Sequence, residues 1–150
     1  MGTNLMRAAV VVSAICWAAG VAQGGASWLA QPYSVSIPTH ISGTNQAVSA
    51  STDMMLQHDV ACSIVVSVGL GNEVLTLNGR TLTTAYKLEG THLSDSDTDW
   101  VGSATFITKT YHVLGTVDST IKLSVQATAP SNQAPDAGAY TASITLTASW

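Results

Sequence analysis

Charged side chains are scarce in this sequence: they make up 9% of its 150 residues, beside a hydrophobic content of 46%. A chain with so much apolar surface and so little charge buries a core, which excludes an intrinsically disordered protein. Basic residues are scarcest of all. Of the five, Arg7 lies at the extreme N-terminus, and Arg80, Lys87, Lys109 and Lys122 are scattered among nine acids, leaving −5 over the rest of the chain. Phosphate binding needs clustered Lys and Arg, so nucleic acid is excluded as a partner. Aromatics are thin at 6%, which counts against the two girdles of a membrane barrel. There are two cysteines, Cys16 and Cys62. Cys16 lies in the N-terminal apolar run, which leaves Cys62 as the one cysteine of the remaining chain and excludes both an internal disulfide and a cysteine metal cage there.

The apolar run itself is short. Arg7 provides a positive start, Ala8 to Ala19 is apolar, and Gly20, Gly24, Gly25 and Ala26 follow as small residues. This is the pattern of a secretory leader over residues 1–26, and the run is well under the roughly 20 residues of a membrane span. Cleavage after Gly24 and cleavage after Ala26 both fit the small-residue rule. The residue before Cys16 is Ile15, where a lipoprotein signal wants a small residue, so Cys16 is expected to leave with the leader.

Period-two alternation dominates the rest. Tyr140, Ala142, Ile144, Leu146, Ala148 and Trp150 alternate with Thr141, Ser143, Thr145, Thr147 and Ser149, the pattern of a strand with one buried face. Residues 28–42 alternate too, with Leu29, Tyr33, Val35, Ile37 and Ile41 on one face; Pro32 and Pro38 remove ladder donors and mark an added or edge strand. Residues 42–53 read as a loop with at most a weak strand around Ala47 to Ala50. Strands are expected over Val60 to Leu70 and Glu73 to Leu77. An Asn78-Gly79 hairpin turn then leads into a returning strand, Arg80 to Leu88. Glu89 to Asp99 is a polar excursion. Gly102 to Val113 reads as a strand in which Phe106 is out of phase, suggesting a bulge, and Thr120 to Thr128 alternates cleanly. No stretch carries a 3.6-residue apolar period over three turns. About six or seven evenly spaced strands point to an all-β antiparallel sandwich with negligible helix after residue 27. Its expected core includes Tyr140, Ile144, Leu146, Ile121, Leu123, Val125, Ile64, Val66 and Val68, with Cys62 as a small buried residue on the face of Ile64.

Candidate chemistry is sparse. Asp95, Asp97 and Asp99 open like a calcium loop, but Trp100 and Phe106 stand where that loop wants Gly and a bidentate Glu, so a solvated loop is the expectation. His40, His58, His92 and His112 have no ligand spacing, and no nucleophile elbow, P-loop or dinucleotide fingerprint is present. An enzyme is the least supported class. No catalytic residue, metal or cofactor is assigned.

The stretch from Asp118 onward combines an alternating strand, a Pro/Ala-rich loop, A-G-A-Y and a final alternating strand. It resembles the C-terminal part of chaperone–usher pilins, in particular major fimbrial subunits of the colonisation-factor type (alpha clade). Residues 74–93, V-L-T-L-N-G-R-T-L-T-T-A-Y-K-L-E-G-T-H-L, are similar to the hairpin region of those subunits, and the A-G-x-Y ending is shared with spore-coat-U-like pilin domains. The resemblance implies an immunoglobulin-like sandwich that lacks its last strand and is completed by donor-strand exchange. Residues 27–42 would form the donor extension, with Leu29, Tyr33, Val35, Ile37 and Ile41 as groove fillers. Residues 43–150 would form the pilin domain, with Tyr140, Ala142, Ile144, Leu146, Ala148 and Trp150 lining the acceptor groove. The partners it implies are identical or related subunits, a periplasmic chaperone, an outer-membrane usher and, as a further candidate, a host surface receptor. Its location would be an extracellular fimbria reached through the periplasm. Two other readings compete: a small outer-membrane β-barrel and a self-contained secreted sandwich that binds carbohydrate or protein.

Overall fold

The computed structural model describes residues 6–17, by their backbone, and residues 24–29, 32–37, 47–69, 72–131, 136 and 138–150. Among them the chain is mostly β-strand: β1 (Met6–Trp17), β2 (Ala26–Trp28), β3 (Tyr33–Ile37), β4 (Ala47–His58), β5 (Cys62–Val68), β6 (Thr76–Leu77), β7 (Arg80–Thr81), β8 (Thr83–Gly90), β9 (Val101–Gly102), β10 (Thr110–Val113), β11 (Ser119–Thr128) and β12 (Gly138–Ser149). One helical turn, α1 (Ser103–Phe106), interrupts the series. The all-β expectation is met.

The strands form two sheets. One runs β10-β5-β12-β1-β3, with the β6–β7 hairpin attached to β12; the other runs β2-β4-β11-β8-β9. Every pairing is antiparallel except β1 with β12, which is parallel. The alternating residues of both sheets meet in one core. Ile121, Leu123, Val125 and Ala127 of β11 are fully buried, as are Ile64 of β5 and Ile144 and Leu146 of β12, while Tyr140 and Val66 are almost so. At one end of this core Tyr86 stacks on Phe106 with centroids 4.9 Å apart, and Tyr111 lies tilted against Phe106 at 6.3 Å.

Local chemistry explains the tightest turn. Asn78 and Gly79 both have positive φ, 49° and 79°, which is what a two-residue turn with right-handed strand twist requires, and Asn and Gly are the residues that tolerate it.

Four sequence expectations need correction. The loop assigned to residues 42–53 is instead, from Ala47, the first half of the twelve-residue β4, paired with β11 from Thr128↔Ala47 to Ser119↔Leu56. Its early inward positions, Val48, Ala50 and Thr52, are small and half-buried, so the alternation is faint in sequence and the ladder with β11 decides the state. Gly102 to Val113 is not one strand: α1 turns the chain so that Phe106 enters the aromatic cluster, which is the origin of its phase slip. That four-residue turn is the one helix among the described residues, in keeping with the expectation of negligible helix. Val68 is 42% exposed and not core, because it is the last residue of β5, where the strand runs out from between the sheets. Residues 28–41 are not one continuous strand either. Trp28 ends β2 in the second sheet and Tyr33 begins β3 in the first; Pro32, lacking an N–H, stands between them.

Candidate functional site at the edge of the last strand

The alternation of β12 is carried into three dimensions with one exception, Ser143, which is buried between Ala142 and Ile144. Tyr140, Ala142, Ile144, Leu146 and Ala148 are all buried, and Trp150, just past the strand, is half-buried. The start of the strand is held by its own tyrosine: the Asp136 N–H donates to the Tyr140 hydroxyl at 3.0 Å, and Asp136 also pairs with Arg80 at 2.6 Å. The A-G-A-Y stretch thus ties the preceding loop to the sheet.

One edge of β12 is taken by β5, from Ile144↔Val68 to Ser149↔Ser63, and by β6 at Thr141↔Thr76. The other edge is occupied along its whole length by β1, from Met6↔Gly138 to Trp17↔Ser149. That occupant is most of the apolar run read from sequence as a leader. On its far side β1 pairs with β3, from Ala8↔Ile37 to Val12↔Tyr33, and among the described residues β3 has no other ladder partner. A slot one strand wide therefore separates β12 from β3, and it is filled by residues 6–17.

The candidate donor residues divide around this slot. Val35 and Ile37 are 1% and 2% exposed and belong to the shared core; Tyr33 is half-buried, and its hydroxyl lacks a partner among the described residues. Leu29 is 40% exposed and follows β2, where its N–H donates to the Met55 carbonyl at 3.0 Å. Ile41 lies outside the described residues. The structure thus brings Tyr33, Val35 and Ile37 to within one strand of Tyr140–Ala148 and carries Leu29 to the other sheet. Sequence reasoning missed the role of residues 6–17 as a strand. The β-branched series Val10, Val11, Val12 and Ile15 was a signal for it, but a short apolar run has the same appearance in a leader as in a buried strand.

Elsewhere several titratable groups are engaged by the fold. Asp97 is buried and accepts from the Leu88 N–H at 2.9 Å, the Tyr111 hydroxyl at 2.6 Å and the Lys109 ammonium. Burial, then the Asp97 hydrogen bond and charge, pushes the Tyr111 phenol well above its usual range. Burial, then Glu73, does the same to Tyr86, whose hydroxyl donates to the Glu73 carbonyl at 2.6 Å. Asp95 accepts from the His112 N–H at 2.9 Å and its Nδ1 at 3.0 Å. Desolvation, the largest single influence, acts upward on this carboxyl, but the His112 hydrogen bonds and charge together outweigh it and hold the carboxyl below its usual range. The three aspartates of the loop motif therefore do not converge: Asp95 and Asp97 face different protein donors. His58 and His92 both contact the Ser119 hydroxyl, at 2.8 and 2.9 Å, which ties the ends of β4 and β8 to the start of β11.

Neither the protein-family models nor the curated proteins contain a match to this chain.

Proposed function

We propose that this chain is a structural subunit of a surface fimbria: an immunoglobulin-like sandwich, exported and freed of its leader, that polymerises by lending a strand to a neighbouring copy. The observation that carries the reading is the occupant of the slot. The edge of β12 and, among the described residues, the only ladder of β3 both depend on residues 6–17. Removal of those residues leaves an apolar-lined strand edge on β12 and a strand, β3, with no backbone partner. An unpaired edge of this kind is a template for strand addition. The donor is the segment around Tyr33–Ile37 of another copy, which presents Tyr33, Val35 and Ile37 to the β12 edge. Partners before assembly are a periplasmic chaperone that covers the slot and an outer-membrane usher. The location is the cell surface.

The test is the assembly state of the exported chain. Unheated gels should show a ladder of multimers that collapses on heating. Val35→Asp should remove the ladder, because a charge enters an apolar slot unpaired. Since Val35 is also core, Ser36→Pro serves as a second variant: it removes a backbone N–H from the donor strand at a residue whose side chain is exposed, and should also remove the ladder while the near-ultraviolet spectrum of the subunit is kept. A monodisperse wild-type monomer, or full-yield polymers from Ser36→Pro, overturns the assignment.

A further inference from the structure

The leader pattern leaves two cleavage positions open, with small residues at both required places in Ala22-Gln23-Gly24 and in Gly24-Gly25-Ala26. The fold treats the two differently. Ala26 is 6% exposed and pairs with His58 in the β2–β4 ladder, so a cut after it would remove a residue that the second sheet uses. Gly25 is docked by a reciprocal pair of hydrogen bonds to one residue: its N–H donates to Asp59 Oδ1 at 2.5 Å, and the Asp59 N–H donates to the Gly25 carbonyl at 3.2 Å. These bonds hang on the end of β4 and owe nothing to β1. The indole of Trp150 lies over Gly25, 3.4 Å from where a Cβ would stand. Gly24, by contrast, is held at φ +135°, with Val60 Cγ1 only 2.4 Å from where its Cβ would be, so in the uncut chain that position accepts glycine alone.

The surrounding charge points the same way. The open cleft beside Gly25 is lined by His58, Asp59, Thr116 and Asp118, with Gln57 and Ser27. It presents two carboxylates, and no Lys or Arg is among the residues lining it. In the uncut chain the Asp59 carboxylate receives a neutral amide at this point.

We propose that the Gly24–Gly25 peptide bond is the processing site and that the α-ammonium freed on Gly25 forms an ion pair with the Asp59 carboxylate, a built-in lock of the mature N-terminus. A leader peptidase selective for small residues adds water across the bond. Gly24 leaves with the carboxylate, and the Gly25 nitrogen takes up protons to become the ammonium. The inference rests on the export reading made above, and it specifies what the new terminus does.

Intact-mass and N-terminal analysis of the exported protein decides the first part. A chain beginning at Gly25 is expected; one beginning at Ser27 or elsewhere overturns the site while leaving export standing, and an uncut chain overturns both. Gly24→Ala keeps a small residue before the cut, so it should yield the same mature mass and the same Tm; a changed Tm would mean that residue 24 remains in the fold. Asp59→Asn, exported in parallel, reads the lock. An α-amino group ordinarily titrates near 7.7–8.0, and pairing with Asp59 raises that value in the folded state. Its contribution is therefore full below about pH 7 and is lost as pH rises through the raised value. The wild type should melt several degrees above Asp59→Asn at pH 6, and the gap should close by about pH 10. A gap that stays constant over this range is what a plain backbone hydrogen bond would give, and it overturns the ion pair.

Discussion

The two sheets place different demands on the first 37 residues. The sheet built around β11 takes β4, β8 and β9 from beyond residue 47 and only the three-residue β2 from before it. The sheet built around β12 takes two of its five serial strands, β1 and β3, from the N-terminal region, and β1 lies between β12 and β3. Both are lined by equally well-buried residues. Burial alone would not distinguish them; the difference is in where the backbone partners come from. One sheet holds itself together, and the other is closed by a segment whose sequence resembles something the cell removes.

The largest effect should come from striking the self-sufficient sheet. Leu123→Ala empties a fully buried site at the centre of β11 and should lower unfolding free energy by about 2–5 kcal/mol, read by denaturant titration, whether or not residues 1–24 are present. Asp97→Ala should follow at about 3 kcal/mol, since it leaves the Leu88 N–H and the Lys109 ammonium without their buried acceptor. Hydrogen exchange sharpens the contrast between the sheets. In a monomeric chain starting at Gly25, amides of Tyr33–Ile37 are held only by reversible closure of β3 onto β12 and should exchange much faster than those of β4 and β11, whereas in the chain retaining residues 6–17 both sets should be protected. Equal protection of β3 in both forms would mean that the first sheet does not need β1.

Two pH effects are smaller. Tyr86 and Tyr111 have phenols raised in the folded state, so the stability they confer is complete below the ordinary phenol value near 10 and declines as pH rises past it, when the unfolded chain ionises first. Absorbance near 295 nm should show these two tyrosines titrating only as the protein unfolds. Asp95 is lowered in the folded state, so its contribution is present above the usual carboxylate value and disappears as pH falls through the lowered one. Asp95→Asn should cost under about 1 kcal/mol at pH 6, and the cost should shrink as pH falls through the lowered value, as befits an exposed pair with His112.

The parts legible in the sequence are those where a single physical rule acts without competition. Tyr140–Ala148 and Ile121–Ala127 alternate with large inward residues, and Asn78-Gly79 meets the one turn that demands both of its φ values. The first half of β4 was illegible because Val48, Ala50 and Thr52 are too small to mark a face. The region around Phe106 showed its phase slip but not its cause, since one turn of helix and a bulge shift the period alike. At the candidate site, the apolar face of β12 and the alternation of Tyr33–Ile37 were readable. The strand that separates them was not, because Val10, Val11 and Val12 suit a leader and a sheet equally.

The direction of β3 carries a kinetic consequence. It runs antiparallel to β1, and β1 runs parallel to β12, so β3 and β12 are mutually antiparallel. A chain without β1 can bring its own β3 against β12 by a sideways step of about 4.8 Å, one strand spacing, with no reversal of the backbone. In the proposed polymer, ring closure within one molecule would compete with chain growth between molecules. Short tethers hold effective concentrations in the millimolar range, so free subunits at micromolar levels would cyclise faster than they added to one another. Growth would then require an agent that keeps the slot occupied until the next subunit arrives, and the length of a fibre would be set by that agent's supply and not by the affinity of one subunit for another.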